Sequence, residues 1–80
     1  MLHYTKNAED KIKLLKTSGL KIDKRIIENI VESPRKLEEK LKKIMIACNN
    51  LDKDKDLSVV YKEENGLKLV ITIFPGTKKK

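Results

Sequence analysis

An Asn65-Gly66 dipeptide separates two stretches rich in β-branched and aliphatic residues, 57–62 and 67–74. Both residues of the dipeptide tolerate positive φ, so they predict a two-residue β-hairpin turn. Extending the pairing from this turn predicts four cross-strand pairs: Val60–Ile71, Val59–Thr72, Tyr61–Val70 and Glu63–Lys68. Because apolar residues occur on both faces of these strands, we expect helices on one face of the sheet and a partner chain or ligand on the other.

The first half of the chain predicts a short strand and two amphipathic helices. Residues 2–5 are compatible with a strand, and Asn7 followed by two acidic residues is typical of a helix start. Gly19 is expected to end this helix, and its apolar stripe comprises Ala8, Ile12 and Leu15. The second helix is predicted to start at Asp23 and to end at Ser33-Pro34, with a stripe of Ile26, Ile27, Ile30 and Val31.

Residues 35–50 fit two different periodicities. A helical stripe would contain Leu37, Leu41, Ile44, Met45 and Cys48, whereas the alternation of Ile44, Ile46 and Cys48 is that of a strand. Residues 49–56 are predicted to form a loop, which lacks the glycine and glutamate of a calcium-binding loop. We expect Pro75-Gly76 to end the last strand and residues 77–80 to form a disordered basic tail.

Composition limits the possible classes of protein. With 80 residues, 39% of them apolar, and a net charge of +7, the chain is expected to fold as one basic domain, residues 1–76. One cysteine and one histidine exclude an internal disulfide and a closed zinc site, so we expect no metal and no cofactor. No apolar stretch approaches the roughly 20 residues of a membrane span and no signal peptide is evident, which predicts a cytoplasmic protein without a membrane partner. The abundance of Lys, Glu and Ile indicates a thermophilic source.

Several short motifs, in this order, resemble a family of small uncharacterised microbial domains related to the BrnT and RelE/ParE toxins. They are Tyr4-Thr5-Lys6-Asn7-Ala8, Gly19-Leu20, Glu32-Ser33-Pro34, Leu57-Ser58-Val59-Val60-Tyr61 and Val70-Ile71-Thr72-Ile73-Phe74-Pro75. The resemblance implies two strands within residues 35–50. Residues and resemblance together predict an α+β domain, in which a short N-terminal strand and two helices precede a three- to four-stranded antiparallel sheet with the helices on one face.

The same resemblance implies an RNA-cleaving or otherwise toxic activity, from which this chain departs at three points. Asn7 stands where the family commonly has histidine, and an amide cannot transfer protons near neutral pH. Lys11 stands where arginine is usual, which removes the bidentate phosphate fork. The chain ends soon after its last predicted strand, without the segment that carries reactive side chains in RelE-like nucleases. We therefore expect incomplete catalytic machinery.

Three functional hypotheses remain open. The first is electrostatic contact with RNA or DNA, with Tyr61 as a stacking group and a basic face formed by Lys11, Lys16, Arg35, Lys42 and Lys43. The second is a metal-independent RelE-like ribonuclease, for which the only candidate catalytic residues are His3, Lys11, Arg35 and Tyr61. The third is an interaction protein, either a homodimer or the partner of a small antitoxin-like chain.

Overall fold

A computed structural model describes residues 2–77, in which two helices cover one face of a five-stranded sheet. The α+β class predicted from the sequence is confirmed. The sheet has the order β1-β5-β4-β3-β2. The elements are β1 (Leu2–Tyr4), α1 (Lys6–Thr17), α2 (Lys24–Glu32), β2 (Lys36–Glu39), β3 (Ile44–Asn50), β4 (Lys55–Glu64) and β5 (Leu67–Thr77).

The four strands that follow the helices are antiparallel, as predicted, but the complete sheet is mixed. β1 pairs in parallel with Lys68–Val70 of β5. Parallel neighbours need a long crossover connection, and here the two helices and three strands between β1 and β5 supply it. The expectation of a purely antiparallel sheet is therefore wrong at this one edge.

The predicted hairpin forms at Asn65-Gly66, where φ is 51° and 78° respectively. The pairs Tyr61–Val70 and Glu63–Lys68 are present. The other two predicted pairs are wrong by one residue, because a bulge leaves Ile71 unpaired and shifts Val60 to Thr72 and Val59 to Ile73. The remainder of the hairpin keeps its alternation on either side of the bulge.

Helix α1 begins earlier than predicted, because Thr5 rather than Asn7 is its N-cap. The Thr5 hydroxyl accepts a hydrogen bond from the Ala8 amide at 3.1 Å and donates one to the Ile71 carbonyl at 2.9 Å. One side chain thus caps the helix and attaches it to the bulged part of β5. The predicted C-terminal end of α1 and the predicted start of α2 are confirmed: Gly19 follows α1 with a φ of 96°, and Asp23 caps α2 by accepting from the Ile26 amide at 2.9 Å.

Residues 35–50 form two strands, so the alternating pattern decides the ambiguous segment. β2 and β3 pair from Lys36–Cys48 to Glu39–Met45, and a short 3-10 turn at Leu41–Lys43 joins them. Lys42 and Lys43 have φ of 61° and 62°. This left-handed conformation costs more for lysine than for the Asn-Gly pair in the shorter turn between β4 and β5.

The core lies between the helices and the face of the sheet that they cover. It includes Ala8, Ile12 and Leu15 of α1 and Ile27, Ile30 and Val31 of α2, packed against Leu57, Val59, Tyr61, Val70 and Ile73. The side chains that alternate with the buried strand residues point away from the helices and define the outer face of the sheet. Its apolar members are Ile44, Ile46, Val60, Leu67, Leu69 and Phe74.

The last strand is longer than predicted. Pro75 pairs with Leu57 and Gly76 with Asp56, and β5 continues to Thr77. Pro75 is tolerated because β1 covers only Lys68–Val70, so that the second half of β5 is an edge that needs no amide from residue 75. Thr77 therefore belongs to the sheet and not to the predicted tail; residues 78–80 lie outside the described residues.

Candidate nucleic-acid interface

The exposed surface of α1 carries most of the lysines of the helical layer. Ala8, Ile12 and Leu15 face the sheet and are buried, which leaves Lys6, Lys13 and Lys16 exposed. Lys13 and Lys16 are three residues apart and therefore adjacent on the helix surface. Among residues 2–77, none of these three ammonium groups lies within 4.0 Å of a carboxylate, so their charges are available to an external anion.

One lysine of this layer has a structural role. Lys24, in the first turn of α2, places its Nζ 2.9 Å from Oε1 of Glu9 on α1 and 4.8 Å from the centroid of the Tyr4 ring. The Tyr4 hydroxyl is buried, and it has no hydrogen-bond partner among residues 2–77. Burial, followed by the negative charges of Glu28, Glu9 and Asp23, raises the pKa of Tyr4 to about 12. Lys24 thus forms an exposed ion pair between the two helices and contacts the Tyr4 ring of β1.

The five basic residues singled out in the sequence lie on three separate parts of the fold. Lys11 and Lys16 are on α1, Arg35 precedes β2, and Lys42 and Lys43 occupy the turn between β2 and β3. Arg35 and that turn lie at opposite ends of β2, which a rise of about 3.3 Å per residue separates by roughly 13 Å. Arg35 also donates through Nη1 to Oδ1 of Asn50 at 3.1 Å. The structure brings Lys11 and Lys16 together on one element but not the other three with them.

The candidate catalytic residues are also distributed. His3 is exposed on the outer face, where it lines an open cavity of about 280 Å³ with Lys62 and Leu69. Tyr61 lies on the opposite, helix-covered face and is 3% exposed. Burial, with a smaller contribution from Glu63, raises the pKa of Tyr61. His3 and Tyr61 therefore do not converge on one site, and Tyr61 does not offer a ring face for stacking.

The charge surplus is confined to particular segments of the chain. Residues 6–25 contain seven lysines and arginines against three carboxylates, whereas residues 26–77 contain nine of each. The three terminal lysines supply the rest of the net charge of +7. Arg35, Lys42 and Lys43 thus belong to a neutral part of the molecule. Lys13, which the sequence reasoning did not select, belongs to the basic part, and counting charges along the chain is the signal that identifies it.

The described residues 2–77 contain no group of three or more His, Cys, Asp or Glu side chains placed to hold a metal ion. Within the same residues, neither helix has the length and apolar character needed to cross a membrane. Comparison of the chain with protein-family models, with curated proteins and with solved structures finds no match. The fold and the charge distribution are therefore the basis for a functional assignment.

Proposed function

We propose that the protein binds nucleic acid electrostatically through the exposed surface of α1 and the segment that leads into α2. The observation that carries this proposal is the charge partition: residues 6–25 have a surplus of four positive charges, while residues 26–77 are neutral. Lys13 and Lys16 are its central residues. A phosphate backbone is the most abundant intracellular polyanion that such a surface would attract, which accords with the cytoplasmic location expected from the sequence.

The start of α2 supports the same proposal. Its first turn contains Lys24 and Arg25 and no acidic residue, although cations are unfavourable next to the positive end of a helix dipole. The Asp23 carboxylate offsets part of this cost, since it accepts from the Ile26 amide at the start of the helix. A phosphate bound near this end would interact favourably with Arg25 and with the helix dipole, whereas the ammonium of Lys24 is already paired with Glu9.

We expect the protein to contact the phosphate backbone of the nucleic acid and not its bases. Lysines outnumber arginines, which occur only at positions 25 and 35, and lysine contacts phosphate as a point charge without a bidentate fork. Neither tyrosine presents an exposed ring on this surface, so base stacking is not part of the proposal. We therefore expect weak sequence preference and strong salt dependence.

The test is the salt dependence of binding to a labelled single-stranded RNA, followed by fluorescence anisotropy from about 50 to about 200 mM salt. Each phosphate contact contributes about 0.7 to the slope of log K against log salt for a single strand. The double variant Lys13→Gln/Lys16→Gln is therefore expected to lower the slope by about 1.4. The matched control Lys42→Gln/Lys43→Gln removes the same charge from the neutral part of the molecule and should leave the slope unchanged.

Two outcomes would contradict the proposal. If wild-type protein bound neither RNA nor duplex DNA at low salt, the proposed nucleic-acid binding would be wrong. Equal loss of slope in the two double variants would show that the contact is not made by α1, because net charge alone would then determine binding.

A further inference from the structure

The outer face of the sheet is an apolar surface that no element of residues 2–77 covers. Its centre is formed by Ile46 and Val60, which pair across β3 and β4. Around them, Leu67, Leu69 and Phe74 of β5 are 56%, 39% and 44% exposed. Apolar groups scattered singly over a surface are ordinary, whereas a contiguous apolar patch with a polar rim marks an interaction surface.

The charges on this face are balanced, in contrast to those of the helical layer. Three lysines, Lys36, Lys40 and Lys62, are interspersed with three carboxylates, Glu38, Asp56 and Glu64. Two of the pairs are close, with 3.1 Å between Lys40 Nζ and Glu38 Oε2 and 4.0 Å between Lys62 Nζ and Glu64 Oε2. A nucleic acid would meet three carboxylates here, so this face is not suited to a polyanion.

We infer that the outer face binds the outer face of a second copy of this chain. A two-fold interface places the same surface on both sides, and a surface with equal numbers of both charges does not repel its own copy as the basic helical layer would. The two larger dimensions of the molecule, 34 and 27 Å, bound a face of roughly 900 Å², compared with about 800 Å² per partner in a stable specific interface. An interface of standard size would thus use most of this face, including its apolar centre.

The resulting assembly would be two sheets packed face to face, about 10 Å apart, with the helices on the two outside surfaces. A domain of this size buries only about 60% of the surface of its unfolded chain, less than a larger domain does, and the second sheet would cover the apolar residues of β5. Because the surfaces of α1 would remain outside, this inference is independent of the proposed nucleic-acid contact.

The test is the molar mass in solution, measured by light scattering over a range of protein concentrations. Wild-type protein is expected to rise from 9.3 kDa towards twice that mass. Phe74→Lys and Leu69→Glu should remain at the mass of one chain. Each new charge faces an opposite one, since residue 74 lies diagonally from Asp56 and residue 69 pairs with Lys62, so the fold of the single chain should tolerate both.

The control is Leu14→Glu, which places a charge at a leucine on α1 that is more exposed than either outer-face residue (58%) and should leave the dimer intact. Unfolding curves establish that all three variants fold. Cys48 provides a second readout, because it is half-buried on the outer face opposite Ser58. Its reaction with a thiol reagent should slow as the wild-type concentration rises and should not do so in Phe74→Lys.

Salt separates this inference from the proposed function. Two chains of net charge +7 repel each other at long range, so added salt should strengthen the dimer while it weakens nucleic-acid binding. Wild-type protein that keeps the mass of one chain at every concentration and salt, or dimers that persist unchanged in both outer-face variants, would overturn the inference.

Discussion

Thr5 is expected to stabilise the domain far more than its half-buried surface position suggests. Thr5→Ala removes the N-cap acceptor of the Ala8 amide, which costs about 1 kcal/mol in a typical helix. It also removes the donor to the Ile71 carbonyl, and the loss of a hydrogen bond of this kind costs about another 1 kcal/mol. We therefore expect a loss of about 2 kcal/mol in the free energy of unfolding, or about 10 °C in Tm for a domain of this size.

Urea unfolding followed by circular dichroism measures this loss, and two further variants isolate the hydroxyl. Thr5→Ser retains it and should remain within about 0.5 kcal/mol of wild type. Thr5→Val keeps the shape of the side chain without the hydroxyl and should resemble Thr5→Ala. If Thr5→Val were as stable as wild type, neither hydrogen bond would contribute measurably and the attachment of α1 to β5 would have another origin.

Three other predictions concern the turns and Tyr4, whose hydroxyl is buried. Lys42→Asn/Lys43→Gly places turn residues that tolerate positive φ where two lysines have φ of 61° and 62°, and should raise the free energy of unfolding by about 1 kcal/mol; a decrease in urea unfolding would contradict the strain. Gly66→Ala, at a φ of 78°, should lower it by about 1 kcal/mol in the same assay. Because the pKa of Tyr4 rises from 10.0 in the unfolded chain to about 12 in the fold, its contribution is complete below pH 10 and is lost as the pH rises towards 12. Tyr4→Phe should therefore lose less stability than wild type over that pH range, and parallel curves for the two proteins would refute this.

The elements that the sequence predicted correctly are those determined by neighbouring residues. The Asn65-Gly66 turn and the cap at Asp23 depend on the conformations of one to four residues. The apolar stripes of α1 and α2 depend on periodicity alone. The ambiguous segment at residues 35–50 also contains the two-residue alternation of a strand, at Ile44, Ile46 and Cys48. A helix does not need this alternation.

The errors arise where distant residues meet. The choice between Thr5 and Asn7 as N-cap cannot be made locally, because both are good caps and Thr5 is selected by a carbonyl 66 positions away. That carbonyl belongs to Ile71, the same residue at which the bulge shifts the predicted register of the hairpin. The hydrogen bond between Thr5 and Ile71 thus accompanies both the N-cap error and the register error. The residues around Thr5 and those around Ile71 do not predict this contact.

The basic residues of the candidate site were also predicted only in part. A prediction from residue type alone does not distinguish one lysine from another, so it included Lys42 and Lys43 together with Lys16. Carboxylates nearby in the chain cancel the charge of the first two, since residues 26–77 are neutral. The useful signal is a local charge balance and not the number of basic residues. The outer face could be anticipated from apolar residues on both sides of the hairpin, but its balanced charges depend on the pairing of β2, β3 and β4.

The two proposals together predict how dimer formation affects nucleic-acid binding. One chain is 19 Å thick, so face-to-face packing places the two α1 surfaces on opposite sides of an assembly roughly twice as thick, and a short oligonucleotide can reach only one of them. Without simultaneous engagement there is no gain in avidity. Phe74→Lys and Leu69→Glu, which change the charge in opposite directions, should therefore bind a short RNA with nearly the affinity of wild type. If both variants lost affinity to the same extent, the RNA would have to contact both chains of the dimer at once, which face-to-face packing of the sheets does not permit.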